Sequence, residues 1–372
     1  MSRETRCGNS RWRPVAAFAI ALACPTIGVT QGTGPDSAFA ASAPLFASHD
    51  PLRLTVEAPL SSIFKDRGQE STERSGKVLL HQPSGESLGL DVEIRTRGRA
   101  RLSRRICDFP PLRLNFSSRA VESTVFVGQD KLKLVVHCQD DRAEYEQYVL
   151  QEYLIYRVFN QFTDLSFRAR LVRNTYVDTE AKRDTVTRYG FLIEADDMLA
   201  ARTGWQPLVV PAVPPNESDP QYLALVGVFQ YMIGNPDWSP FGKAPEEGEC
   251  CHNTTPIGSP AGPVFSVPYD FDITGLVNTR YADGLFSPTT RNLGITKVRE
   301  RVYRGVCPSN GFLPGLFADF NERREAIYAL YRGQVELHPK VLEETLKYLD
   351  EFYATINDPQ KVERELVARC RG

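Results

Sequence analysis

The sequence predicts an α+β protein with a β-rich N-terminal lobe and a mainly helical C-terminal lobe, a helix around Glu152 and a hairpin lying between them. Three observations carry that prediction. Short runs of period two dominate residues 52–136, helical periodicity begins at Glu144, and it returns from residue 317 onward. With 42% hydrophobic and 24% charged residues, the 372-residue chain has the apolar content to bury a core on that scale.

In chain order, Leu52, Leu54 and Val56 alternate with polar residues, as do Leu90, Val92 and Ile94, and then Leu112, Leu114 and Phe116. Each run therefore reads as a strand with one buried face. Turn-forming Gln82-Pro83-Ser84-Gly85 and a strongly basic stretch at 95–105 separate them. Leu150, Leu154 and Val158 recur every four residues in a stretch free of Gly and Pro, which predicts a helix with one face in the core. Runs at 169–177 and 187–194, divided by the charged turn 178–184, read as a hairpin. Residues 222–233 are apolar nearly all round and predict a deeply buried helix that stops at Gly234-Asn235-Pro236. The Pro- and Gly-rich segment 240–263 reads as a long loop and residues 264–267 as a short strand. Helices are expected over 317–331 and 339–356.

The N-terminus reads as a targeting segment. Arg3, Arg6, Arg11 and Arg13 precede the apolar run 15–23, and small-residue sites follow at Ala38-Phe39-Ala40 and Ala41-Ser42-Ala43. We expect a leader over 1–43, a mature chain from near Pro44, and no integral membrane span after cleavage. The expected location is exported, periplasmic or extracellular. A lipid-anchored envelope form through Cys24 is the alternative. Beyond the leader stand Cys107, Cys138, Cys250, Cys251, Cys307 and Cys370, an even set that fits disulfides in an oxidising compartment and leaves the connectivity open. Structural zinc at Cys250-Cys251-His252 is the competing reading of the adjacent pair. With 44 Lys+Arg against 46 Asp+Glu, no global field argues for a nucleic acid polymer as partner.

The candidate chemistry is acidic. Asp237 follows the buried helix, where a carboxylate falls at the edge of the core, although a lone Asp there is ordinarily a turn residue. Asp270 and Asp272 are two apart, so an extended backbone points both to one side, about 7 Å apart by strand rise. Hard divalent cations take such oxygen ligands together with phosphate oxygens. Between these acids lies Cys251-His252-Asn253, whose Asn253 offers an amide oxygen to a cation and whose His252 is suited to holding the loop.

The order of these motifs resembles the spore-coat CotH family of atypical protein kinases, in which an Asn-x-Asp segment, a His-Asn pair and an aromatic-Asp-aromatic-Asp motif follow one another. Upstream, Ile94-Arg95-Thr96-Arg97-Gly98 looks like the family's Arg-x-Arg-Gly segment, Pro111-Leu112-Arg113-Leu114 like its basic strand, and Tyr189-Gly190-Phe191-Leu192-Ile193-Glu194 like its strand ending in Glu. The similarity is patchy and covers residues 92–273.

The resemblance implies an atypical kinase-like, two-lobed domain over 44–372, with a β-rich lobe at 44–140 and a mainly helical lobe at 141–372. It implies Asp237 as the catalytic residue, Asp270 as metal ligand with Asp272 and Asn253 in support, and Arg95 or Arg97 on phosphate oxygens. Glu152, or Glu146, would partner the phosphate-binding cation, a place that Lys133 or Lys131 would fill. The cofactors implied are ATP and Mg2+ or Mn2+, and the acceptor is a protein substrate. Two departures stand out: Asp108-Phe109-Pro110-Pro111 replaces the lysines expected before the basic strand, and no Gly-x-Gly-x-x-Gly loop is present. They motivate the alternative of a catalytically inactive envelope or surface binding protein. A metal-dependent hydrolase is a third reading, disfavoured because His252 alone among five histidines sits near the acids.

Overall fold

The alternating runs build seven strands: β1 (Leu52–Ala58), β2 (Arg74–His81), β3 (Ser87–Thr96), β4 (Leu112–Phe116), β5 (Lys131–Val135), β6 (Ala169–Asp178) and β7 (Val186–Ile193). They appear in a computed structural model that describes residues 43–242, 250–259, 261–286, 291 and 294–371. The leader expected over 1–43 lies, apart from Ala43, outside the described residues, and so does Cys24.

The strands close into one barrel in the order β1-β2-β3-β4-β5-β7-β6. Neighbours are antiparallel except where β1 meets β6, a parallel pairing that runs from Leu52 opposite Val172 to Ala58 opposite Asp178. This corrects the two-lobed kinase-like fold expected from the sequence. The hairpin expected between lobes is part of the barrel: β7 pairs with β5 and β6 with β1, so no open β-lobe stands beside a helical one. The physical gain is that both edges of the sheet find partners for their backbone N–H and C=O groups.

Inside the barrel, Leu54, Val56, Val78, Ile94, Leu114 and Leu134 are buried, and Val172 and Leu192 on β6 and β7 join the same cluster. Each such side chain contributes about 1.5–3 kcal/mol on burial. Asp178 fastens the closing strand. Its carboxylate accepts from Ser61 N (3.2 Å) and Ser61 Oγ (2.7 Å) on the helical turn after β1, and from Glu180 N (3.3 Å) and Lys182 N (3.0 Å). Burial works against the charged carboxylate, but those donors outweigh it and hold its pKa below the usual value.

Among the described residues the α-helices longer than four residues are α1 (Glu144–Phe159), α2 (Asp196–Thr203), α3 (Pro220–Ile233), α4 (Leu313–Glu322), α5 (Arg324–Gly333), α6 (Pro339–Ile356) and α7 (Pro359–Glu365). α1 lies against β6 and β7 and joins the barrel to a second core shared with α3 and the C-terminal helices. α3 starts on an Asp219 cap that accepts from Tyr222 N, with Pro220 in the first turn, and is buried from Tyr222 to Ile233. The single helix expected over 317–331 is two, α4 and α5, meeting at Arg323.

A second sheet holds β8 (Gln206–Pro207), β9 (Thr254–Gly258) and β10 (Val264–Pro268) in the order β10-β9-β8. β9 lies inside the segment expected to be loop. Pro256 in its middle hid it, because proline is depleted from strands and breaks the alternation. The six cysteines pair as Cys107–Cys138, Cys250–Cys251 and Cys307–Cys370, so Cys250 and Cys251 are bonded to each other and the zinc reading of that pair falls. The bridges that span 31 and 63 residues each contribute about 4 kcal/mol by loop closure. Among the described residues no helix is long and apolar enough to cross a membrane.

Candidate functional site

The segment after β3, the end of α3 and the paired ends of β9 and β10 border one cleft of about 1230 Å³. Pairing in the second sheet explains why two distant motifs meet there. Thr254 at the start of β9 lies opposite Pro268 at the end of β10, which leaves Asn253 and Tyr269-Asp270 at the same end. The ladder runs one step further, with Tyr269 N donating to Asn253 O at 3.0 Å.

Asp237 reaches the cleft because α3 stops sharply. Gly234 takes the left-handed conformation (φ 62°), and a Cβ there would stand 2.0 Å from Tyr348 Oη. Asn235 Oδ1 accepts from Asp237 N at 2.8 Å, and Arg304 Nη1 donates to Pro236 O at 2.7 Å, which holds the turn. Asp237 is 6% exposed. Its Oδ1 lies 3.0 Å from His252 Nε2, while Asn253 Nδ2 donates to its carbonyl at 2.7 Å and to Oδ2 at 3.3 Å. Asn253 itself has φ 52°, a conformation asparagine tolerates better than most residues.

Asp270 also has a positive φ, 61°, and its N–H donates to Tyr156 Oη at 3.0 Å. The extended backbone expected through Asp270 and Asp272 is therefore replaced by a turn after β10. The two carboxylates converge all the same, because both face Arg101. The guanidinium places Nη2 3.0 Å from Asp270 Oδ1, Nε 3.5 Å from Asp272 Oδ2, and Nη1 3.9 Å from Glu152 Oε2. Tyr281 donates its hydroxyl to Asp272 Oδ2 at 2.9 Å. Glu152, on α1 and 2% exposed, leaves Oε1 buried without a hydrogen-bond partner.

Burial dominates the electrostatics of this cluster. It pushes the Glu152 carboxyl well above the ordinary range and Asp272 up to about 6, with Arg101 opposing both shifts. Burial also works against the charge on Arg101, but Asp272, Tyr281, Asp270 and Glu152 outweigh it and raise its pKa. Burial lowers the pKa of Arg97, and Asp270 partly restores it.

Of the residues singled out in the sequence, Asp237, Asn253, Asp270, Asp272 and Arg97 line the cleft. Glu152 lies beneath it and meets it through Arg101. Lys133 pairs with Asp196 at 3.2 Å and sits 5.3 Å from the Tyr269 ring, in a side cavity of about 10 Å³ that it shares with Arg97 and Asp270. Arg95 is not brought there. It lies on the outer face of β3, where it donates to Gln69 O at 3.2 Å and stands 3.9 Å from Glu73. Glu146 accepts from Tyr189 N at 2.6 Å, and Lys131 is paired with Asp130, both away from the cluster.

Arg101 is the site residue that sequence reasoning missed. Six arginines crowd residues 95–105, and nothing local says which one turns inward. The structure selects Arg101 through a one-turn helix, Ala100–Leu102, whose Leu102 is buried and whose carbonyl accepts from Arg67 Nη1 at 3.2 Å. The signal available was Glu152, a carboxylate on the buried side of a helix and in need of a cation.

No family model, curated protein or solved structure matches this chain. Site chemistry alone therefore carries the functional reading. Among the described residues no three His, Cys, Asp or Glu side chains converge on one ion position as they stand. The oxygens there are of the type that hard divalent cations take: Asp270 and Asp272 present carboxylates, both engaged by Arg101, and the buried Glu152 Oε1 has no hydrogen-bond partner. Arg101 holds the place between them. In the same cleft, Arg97 beside Asp270 offers a planar donor pair to an anion, and Asp237 offers a fixed acceptor to a hydroxyl.

Proposed function

We propose that this cleft binds a nucleotide through its phosphates and passes the terminal phosphoryl group to a protein hydroxyl, in an exported phosphotransferase whose motif order resembles that of the CotH family. One observation carries the reading: segments around Arg97, Asp237, Asn253 and Asp270 converge on one cleft large enough for a nucleotide. That volume, about 1230 Å³, exceeds the roughly 300–1,000 Å³ of ordinary ligand sites, which leaves room for a nucleotide and part of an acceptor.

In this reading the acceptor oxygen attacks the terminal phosphorus, the bond to the bridging oxygen breaks, and the nucleoside diphosphate departs. Asp237 orients the acceptor hydroxyl, takes its proton and later releases it to solvent. His252 and Asn253 keep its carboxylate aimed during that exchange. Arg97 holds phosphate oxygens in two-point contact. Asp270 and Asp272 would hold Mg2+ or Mn2+, which when bound neutralises phosphate charge. The three disulfides and the leader-like N-terminus support export to an oxidising compartment.

A second reading, a ligand-binding protein without transfer, draws support from Arg101 seated among the carboxylates and from Lys133 tied to Asp196. A thermal-shift titration run beside a transfer assay separates the two. Stabilisation by nucleotide and Mn2+ with transfer supports the enzyme, and stabilisation without transfer supports the binding protein. No stabilisation by any nucleotide overturns the enzyme and favours a binding protein whose ligand is not a nucleotide.

A further inference from the structure

Arg101 is 11% exposed at its side chain, comes from a short anchored turn, and reaches three carboxylates that belong to two separate elements, α1 and the segment after β10. Isolated arginines on protein surfaces do not do this; a guanidinium this enclosed is the counter-ion of the cluster. Its contacts with Asp270 and Asp272 are the oxygens that a divalent cation would need. Glu152 Oε1, buried and without a hydrogen-bond partner, shows that the guanidinium does not satisfy every polar atom of the cluster.

We infer that Arg101 is the resident cation of this site and competes with a divalent metal for Asp270 and Asp272. Occupation by the metal requires the guanidinium to swing out of the carboxylates into the cleft, which has the volume to receive it and already presents Arg97 toward the same space. An anionic ligand in the cleft then favours the swing, because it offers the displaced guanidinium new acceptor oxygens. Metal and anion are thereby coupled: each binds more tightly when the other is present. The inference rests on the reading of Asp270 and Asp272 as cation ligands but not on phosphoryl transfer.

The test is direct Mn2+ binding, followed by the paramagnetic resonance signal of free Mn2+, on the mature chain and on Arg101→Gln, Arg101→Lys and Asp270→Asn. Arg101→Gln should bind Mn2+ about tenfold more tightly than the parent, since it frees two carboxylates from an ion pair. Arg101→Lys should fall between, because an ammonium keeps the charge but not the fork. Asp270→Asn should bind more weakly than the parent. In a melting experiment without metal, Arg101→Gln should unfold at lower temperature than the parent and gain more from Mn2+ than the parent does. Should Arg101→Gln fail to fold, the order of Arg101→Lys above the parent still decides. Equal or weaker Mn2+ binding in the arginine variants overturns competition. Tighter Mn2+ binding in them, alongside a parent that transfers no phosphoryl group, keeps the competition and removes only the transferase reading.

Discussion

Asn253 Nδ2 donates to both the carbonyl of Asp237, at 2.7 Å, and its carboxylate, at 3.3 Å. One side chain thus fixes the backbone and the functional group of the same aspartate. Asn253→Gly removes both bonds while keeping the positive-φ backbone (φ 52°) that the start of β9 needs. In the proposed phosphotransferase reading, the expected result is a ten- to a hundredfold loss, about the size of a misplaced catalytic group, falling on kcat rather than KM. Steady-state kinetics at saturating nucleotide check it, and an unchanged kcat would remove Asn253 from the positioning role.

Asp237 carries a heavier load in the same reading. Asp237→Ala should lower kcat by about 10²- to 10⁴-fold, the usual contribution of a positioned acid or base, with nucleotide affinity little changed. Nucleotide titration of the variant separates loss of chemistry from loss of binding. Affinity lost in step with kcat would assign Asp237 to ligand binding.

Much of this arrangement is legible in the sequence, and the parts that are not share a cause. The alternation of Leu52, Leu54 and Val56 and the four-residue spacing of Leu150, Leu154 and Val158 report local burial, so β1 and α1 are read directly. The parallel pairing of Leu52 with Val172 has no local trace, because register between strands more than a hundred residues apart depends on the whole barrel. Asp237, Asn253 and Asp270 stand out in the sequence as polar residues beside the end of a buried helix and the end of a short strand, and the structure brings all three to one cleft. Arg101 does not stand out, since its inward turn follows from the burial of Leu102 and not from any property that separates it from Arg99 or Arg104.

Asp178 gives the barrel a pH dependence with a definite sign. Its folded pKa is depressed below the unfolded value, so its contribution is complete above about pH 4 and disappears as pH falls through the folded value. Asp178→Ala, which strands four donors, should cost about 3 kcal/mol at pH 7. Urea unfolding of both proteins should show that difference shrinking toward pH 3. A difference that holds constant with pH would mean that the carboxylate charge is not what fastens β6 to the turn after β1.

The disulfides make separable contributions. Replacing Cys307 and Cys370 by serine opens a 63-residue loop and should lower stability by about 4 kcal/mol. The Cys250–Cys251 bridge joins chain neighbours, so its removal should cost about 1 kcal/mol or less. Calorimetry of the two double variants compares them. Equal losses would show that loop closure is not the source of stabilisation.

In the proposed reading Asp237 and Asp270 line one phosphoryl-transfer cleft. Mature protein incubated with γ-labelled ATP and Mn2+ should transfer label to itself or to a protein acceptor, and Asp237→Ala and Asp270→Asn should each abolish that transfer while remaining folded. Label transfer that persists undiminished in both variants would contradict the account.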